Sequence, residues 1–236
     1  MRDIFFVTDF VCPYCIVAEE ALRQAIQETG IEAEIRFWPM ELTEEPKERA
    51  DTYNDPVRRE HYKVLDGPVK ELGLDVKFPP KVIPRPYTRL AWEGWHYAKE
   101  KGLGGLYADR MYHAYFTNEL DIGELDVLVK LAEEIGLDAE EYRKVLEEGV
   151  YFEEEKSATA YSRNMLQVKS IPTIYLDGRV IEVNDYTKEE MIRILMEESE
   201  NVGPETEECG GFAEESASGD GWTDDGSGCG PNGCAF

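Results

Sequence analysis

Hydrophobic positions along this chain change period twice, and the changes mark out its elements. Ile4 to Phe10 is a short apolar run, the pattern of a buried strand. Ile16, Ala18, Ala21, Leu22, Ala25 and Ile26 then recur near helical spacing. Pro13 suits the first helical position, and Gly30 suits the stop. Alternation returns with Ala33, Ile35 and Phe37, which predicts a second strand from Ala33 to Trp38. The start of the chain therefore reads β-α-β.

From Pro46 to Gln167 the period is helical. After a loop carrying Pro79, Pro80, Pro84 and Pro86, one helix face is marked by Leu90, Ala91, Gly94, Trp95 and Ala98. Tyr107, Met111, Ala114 and Tyr115 mark another. Asp121 with Glu124, and Asp138 with Glu141, resemble capping boxes ahead of Leu125–Ala132 and Tyr142–Leu146. A further helix is expected from Tyr151 to Leu166.

Strand signals come back at Thr173-Ile174-Tyr175-Leu176. Asp177-Gly178 follows, a hairpin turn before Arg179 to Val183. A closing helix starts at Thr187, with Met191, Ile192, Leu195 and Met196 facing inward. The expected organisation is an α/β domain built from residues 1–45 and 167–200, interrupted by an all-helical insertion over 46–166. Residues 201–236 contain no basic residue and eight acidic ones, with abundant Gly and Ser, so a flexible tail is expected.

The charge balance sharpens this picture mainly by exclusion. There are 25 basic against 50 acidic residues among 236, for a net charge of -25. Such a balance repels nucleic acid and anionic membranes, and works as a solubility device. No apolar run is long enough to span a bilayer, and the N-terminus lacks a cleavage-type site, so the expected address is the cytoplasm. The five cysteines cluster at the two ends: Cys12 and Cys15, then Cys209, Cys229 and Cys234. In a cytoplasmic protein that spacing points to reactive or metal-binding thiols rather than structural bridges.

Cys12-Pro13-Tyr14-Cys15 is the strongest chemical signal. Thiol–disulfide exchange needs an attacking thiolate, a second thiol to resolve the mixed disulfide, and access for the partner. A helix N-terminus sets unsatisfied N–H groups and partial positive charge beside the first sulfur. This predicts an exposed, nucleophilic Cys12 and a resolving Cys15 one turn along. Pro13 shapes the turn, and Tyr14 sits where it can tune the thiolate and touch substrate. The competing reading is a zinc knuckle, in which the tail cysteines complete a four-thiolate site. The strand-then-helix context favours the redox motif. Ser170-Ile171-Pro172-Thr173 places a second marker, a proline at a strand entrance, where either a cis or an ordinary trans bond is compatible.

Together these residues resemble the DsbA-like thioredoxin superfamily, in its cytoplasmic FrnE-like branch. The resemblance is carried by Asp9-Phe10-Val11-Cys12-Pro13-Tyr14-Cys15, by His113-Ala114-Tyr115-Phe116 through Asp121-Ile122-Gly123, and by Val168-Lys169-Ser170-Ile171-Pro172-Thr173. It spans residues 1 to about 200 and implies a thioredoxin-like fold with a helical insertion. It also implies that Pro172 is cis beside the dithiol, and that the Ile171 backbone is available to pair with an extended substrate. Members of this branch more often carry Trp where Tyr14 stands. Glutathione-dependent isomerase relatives carry Ser at the position of Cys12.

The tail adds Cys229-Gly230-Pro231-Asn232-Gly233-Cys234, a close pair around a turn-forming sequence. Some FrnE-like proteins resemble this as well. Cys229 and Cys234 are read either as an auxiliary redox pair exchanging with Cys12 and Cys15, or as an unused or metal-binding tail. His61, His96 and His113 lack ligand spacing, so no metal is expected. Asp9 reads equally as a buried partner of the site or as a strand-end residue. The leading function is therefore a thiol–disulfide oxidoreductase without a cofactor. It would act on protein or small-molecule disulfides and exchange with a cellular thiol donor or acceptor. The alternatives are a glutathione-dependent isomerase or transferase, and a thiol module for metal binding or chaperoning.

Overall fold

The computed structural model describes residues 1–197 and the backbone of residues 229–230 and 233–235. Its centre is β1 (Arg2–Thr8), which runs parallel to β2 (Ala33–Pro39). Between them lies α1 (Pro13–Thr29). The apolar run is all strand only as far as Thr8, because Asp9 to Val11 bend the chain into the helix. Helix α1 opens with Pro13 at its first position and closes at Gly30, whose φ of 65° lets its N–H reach Ile26 O at 3.0 Å.

After β2 come α2 (Pro56–Tyr62), α3 (Asp66–Leu72), α4 (Arg89–Glu100) and α5 (Gly104–Phe116). Next are α6 (Leu125–Glu134), α7 (Ala139–Glu147) and α8 (Phe152–Asn164). The chain then returns through β3 (Ser170–Ile171), β4 (Thr173–Leu176), β5 (Arg179–Ile181) and α9 (Lys188–Met196). In the tail, β6 (Cys229–Gly230) and β7 (Gly233–Ala235) form a short hairpin. The main sheet has the order β2-β1-β4-β5, with β4 antiparallel to both β1 and β5. This is a thioredoxin-like α/β fold carrying many added helices.

Local chemistry explains most boundaries. Asp177 (φ 50°) and Gly178 (φ 81°) make the two-residue turn between β4 and β5. Asp138 caps α7 by accepting from Glu141 N at 2.8 Å, and Thr187 caps α9 by accepting from Glu190 N at 3.2 Å. Asp121 departs from expectation. Its Oδ1 accepts from Gly123 N, so it closes a turn one residue short of the helix, and Glu124 occupies the cap position without a side-chain bond.

The helical block is tied to the sheet through polar contacts as well as apolar packing. Trp38 Nε1 donates to Ala158 O at 3.0 Å, and Ser162 Oγ donates to Pro39 O at 2.8 Å. Within the block, α4 lies close to the buried Tyr107 and Tyr142 because residue 94 is glycine. A Cβ there would run into both hydroxyls, which hydrogen-bond each other at 2.7 Å.

Candidate active site

Cys12 stands at the N-cap of α1, with φ -91° and ψ 116° and no side-chain cap on the helix. The Cys12 side chain makes no capping hydrogen bond to the first-turn N–H groups. Cys12 and Cys15 are both free thiols, and both are buried. The Cys12 thiol donates to Ile171 O across 3.7 Å, and the Ile171–Pro172 bond is cis. The fold thus brings together residues 159 apart in sequence.

The expected exposure of Cys12 is not observed: the residue is 0% exposed. Three groups close over it. Tyr14, in the middle of the motif, is itself buried and donates from its hydroxyl to His61 O at 3.4 Å, reaching into α2. Its ring lies 5.6 Å from that of Tyr186. Tyr62, at the end of α2, completes an aromatic shell within electrostatic reach of Cys12. Burial, then the nearby Cys12 charge, push the Tyr14 hydroxyl up to about 12. The shell consequently stays neutral near pH 7.

The third covering group is the edge itself. β7 pairs antiparallel with β3, placing the backbone of Cys234 opposite Ile171 and that of Ala235 opposite Ser170. Within the tail hairpin Cys229 stands opposite Cys234. The backbone edge at Ile171 that the resemblance implies for substrate is occupied by the chain's own tail. Cys209 and the side chains of Cys229 and Cys234 lie outside the described residues.

On the far side of the dithiol the surroundings change. Cys15 is fully buried, which pushes its thiol well above the ordinary value. Thr8 pulls the other way. The Thr8 hydroxyl also hydrogen-bonds Tyr112 OH from α5, 104 residues away. One turn below Cys15, Glu19 is nearly buried, and burial pushes its carboxyl up to about 7 against the pull of Arg23. Arg23 Nη2 binds Glu19 Oε1 at 2.7 Å and Asp109 Oδ1 of α5 at 2.9 Å. No local signal in the sequence marks Thr8 or Glu19 as neighbours of the dithiol.

Asp9 is a buried anchor. Its Oδ2 accepts from Leu42 N at 2.7 Å and its Oδ1 from Trp92 Nε1 at 3.4 Å, tying the β1–α1 corner to α4. Burial raises its carboxyl above the ordinary value, while Leu42, Thr88, Arg85 and Trp92 pull the other way. Trp92 stacks on Phe10 with centroids 3.9 Å apart. The helical insertion therefore supports the dithiol from behind, through Trp92, as well as covering it, through Tyr62.

His96 lies between Glu154 Oε1 and Glu155 Oε2, each at 3.0 Å, remote from the other two histidines in sequence. Among the described residues no group of three or more His, Cys, Asp or Glu is arranged to hold a metal ion, and no helix is long and apolar enough to cross a membrane. A cleft of about 300 Å³ with mixed walls lies between β1–β2 and the α4–α5 connection, lined by Phe5, Trp38 and Trp95 with Glu34, Arg36 and Lys99, and includes neither cysteine of the dithiol.

Comparison with known proteins is consistent over most of the chain. Residues 3–193 match the DSBA-like thioredoxin domain. The uncharacterised protein YwbO of Bacillus subtilis strain 168 is 36% identical over 175 residues, covering 74% of this chain and 86% of YwbO. Among solved structures, SCO1869 of Streptomyces coelicolor, described as a probable DsbA oxidoreductase, superposes with a TM-score of 0.67 at 23% identity. That match covers 100% of this chain and 99% of SCO1869. The cytosolic disulfide reductase DsbM of Pseudomonas aeruginosa superposes with a TM-score of 0.61 at 17% identity, covering 82% of this chain and 96% of DsbM. DsbM is also known in complex with GSH.

Proposed function

The chain belongs to the DSBA-like thioredoxin domain family, and from that premise we propose that it is a cytoplasmic thiol–disulfide oxidoreductase acting through Cys12 and Cys15. The observation that carries this reading is the placement of Cys12. Its sulfur sits at an uncapped helix N-terminus, 3.7 Å from the carbonyl of the residue preceding a cis proline.

In the reducing direction the Cys12 thiolate attacks one sulfur of a substrate disulfide. The S–S bond breaks and one substrate thiolate leaves. Cys15 loses its proton and attacks the Cys12 sulfur, which expels the second substrate thiolate and leaves a Cys12–Cys15 disulfide. Two electrons have passed to the substrate, and a cellular thiol returns the site to its dithiol form. Glutathione is the proposed donor, in keeping with the GSH complex of DsbM. A reducing cytoplasm favours reduction or isomerisation over net oxidation.

The tail hairpin belongs to this proposal. Backbone register sets Cys234 beside Ile171 and Cys229 across from Cys234, at the edge next to Cys12. Cys229 and Cys234 are proposed as an auxiliary pair that trades electrons with the Cys12–Cys15 pair, the hairpin yielding the edge to an extended substrate by strand exchange.

Insulin reduction with glutathione as donor tests the reading. Wild type is expected to turn over and Cys12→Ser to be inactive; equal activity in the two would sink it. Turnover of the Cys229→Ser, Cys234→Ser double variant is expected to fall, and unchanged turnover with an unchanged dithiol titration would remove the auxiliary role.

A further inference from the structure

The main sheet ends on one side at β2, and its ladder shows which way that strand's backbone points. Arg2 N donates to Glu32 O at 2.7 Å and Met40 N donates to Thr8 O at 2.9 Å, at the two ends of the parallel β1–β2 pairing. In a parallel ladder, alternate residues of a strand send both backbone groups to the same neighbour. Glu34, Arg36 and Trp38 therefore bond β1, whereas Ala33, Ile35 and Phe37 turn their N–H and C=O groups outward. Among the described residues no strand pairs with that side of β2, and these outward groups have no backbone partner. Pro39 stops the run, since it has no N–H and its carbonyl takes the Ser162 hydroxyl at 2.8 Å. The cleft beside the strand is lined by Glu34, Ile35, Arg36 and Phe37, so the edge opens on space rather than on packed protein. The open edge is thus Ala33 to Phe37, with Ile35 at its midpoint.

An open edge is a template for another strand, and proteins commonly guard one with charge. Here the two charges have opposite signs and sit symmetrically about Ile35. Glu34 is exposed and has no hydrogen bond or ion pair among the described residues. Arg36 is half exposed and is held by Asp3, with Nε donating to Oδ1 at 2.7 Å.

We propose that β2 is a dimerisation edge whose occupant is β2 of a second copy, antiparallel about a two-fold axis through Ile35. In that register Ile35 exchanges both backbone bonds with Ile35 of the second copy, and Ala33 does so with Phe37. Glu34 stands opposite Arg36 of the second copy, and Arg36 opposite its Glu34, because a two-fold interface repeats every contact. These are the non-hydrogen-bonded positions, where directly opposed side chains come closest. An axis through Glu34 or Arg36 would instead set like charges face to face, which selects Ile35. The order β5-β4-β1-β2 then continues into β2-β1-β4-β5 of the second copy. The net charge of -25 opposes association, yet at physiological salt repulsion is screened beyond about 8 Å, and a directly opposed pair is not. β2 lies on the side of β1 away from β4, so the Ile171 edge takes no part in the contact.

Sedimentation velocity of the full-length chain tests this, with a reductant present to remove disulfide-linked dimers. Wild type is expected to sediment as a dimer at about 10 μM. Glu34→Arg and Arg36→Glu each set like charges across the axis, and each is expected to weaken association about ten- to a hundredfold. Mixing these two variants restores opposite charges at both positions, so a dimer of one copy of each is expected to return. Ile35→Pro removes the central outward N–H and spares the bonds to β1, so it is expected to give a monomer with the circular dichroism of wild type. A wild type that is monomeric at about 100 μM, or charge variants that dimerise as tightly as wild type, overturns the proposal. A mixture that stays monomeric overturns the two-fold register. Protection of the Ile35 and Phe37 amides from hydrogen exchange in a monomeric wild type would assign the edge to residues 198–228 of the same chain instead.

Discussion

Two buried carboxyls flank the dithiol, Asp9 three residues before Cys12 and Glu19 four after Cys15, and their surroundings give them different work. Asp9 is enclosed. Its oxygens take the Leu42 N–H and the Trp92 indole, and its carboxylate is spent on holding β1, α4 and the segment after β2 together. Glu19 has one partner, Arg23, and that partner is 45% exposed and leads outward. Burial raises both acids, yet only Glu19 stands on the helix face of Cys15 with a path to water. Burial alone therefore does not fix what a carboxyl does; the groups that hold it do.

The largest expected effect tests the structural half of that contrast. Asp9→Ala strands the Leu42 N–H and the Trp92 N–H without acceptors in a water-free interior, at a cost of about 2–4 kcal/mol. Thermal denaturation is expected to move down by about 5–10 °C. Glu19→Gln keeps an amide oxygen for Arg23 and removes a buried charge, so its midpoint is expected within about 1 kcal/mol of wild type. If the two substitutions destabilise equally, the contrast between the two acids fails.

How visible this was in the sequence differs between the two halves of the site. The dithiol, the proline before β4 and the Asp177-Gly178 turn are local signals, each readable because the chemistry is confined to a few consecutive residues. The Thr187 cap was readable for the same reason. Glu19 was not, because Glu19-Glu20 looks like an ordinary solvent-facing acidic pair on α1. It is buried only because α5, about ninety residues later, packs Asp109 and Tyr112 against that face. Thr8 sat inside an apolar run and read as a strand residue. The burial of Cys12 was hidden for a related reason. Tyr14 supplies part of the cover, but Tyr62 and the β7 edge arrive from two distant parts of the chain.

A middle-sized effect concerns pH and the whole molecule. Burial raises Glu19 to about 7 and Glu41 to about 8, from an ordinary 4.5. For a carboxyl raised in the folded state, the native form binds more protons than the unfolded form between those values. The stabilising contribution is thus complete below pH 4.5 and is lost as pH rises through about 7 and then 8. Chemical denaturation is expected to give a chain more stable at pH 5.5 than at pH 8.5, by about 1–3 kcal/mol per raised carboxyl. The net charge of -25 works in the same direction through self-repulsion. Glu19→Gln and Glu41→Gln separate the terms, since each is expected to flatten the profile over its own window while self-repulsion persists. Profiles unchanged by both substitutions would assign the slope to the surface charge and to the other carboxyls raised by burial, Asp9, Glu93 and Glu155.

The smallest effect in energy is the sharpest in mechanism. Arg23 is nearly half exposed, so Arg23→Gln is expected to cost less than about 1 kcal/mol of stability. Its guanidinium is nevertheless the main group holding Glu19 down against burial. Removing the charge leaves desolvation, Asp109 and Glu20 all acting in the raising direction. The Glu19 step in the pH profile of chemical denaturation is therefore expected to move above 7, while the Glu41 step stays in place. A Glu19 step unmoved by Arg23→Gln would show that the guanidinium does not hold the carboxyl down. Because Asp9 has no exposed cation to lose, the same experiment has no counterpart on the other side of the dithiol.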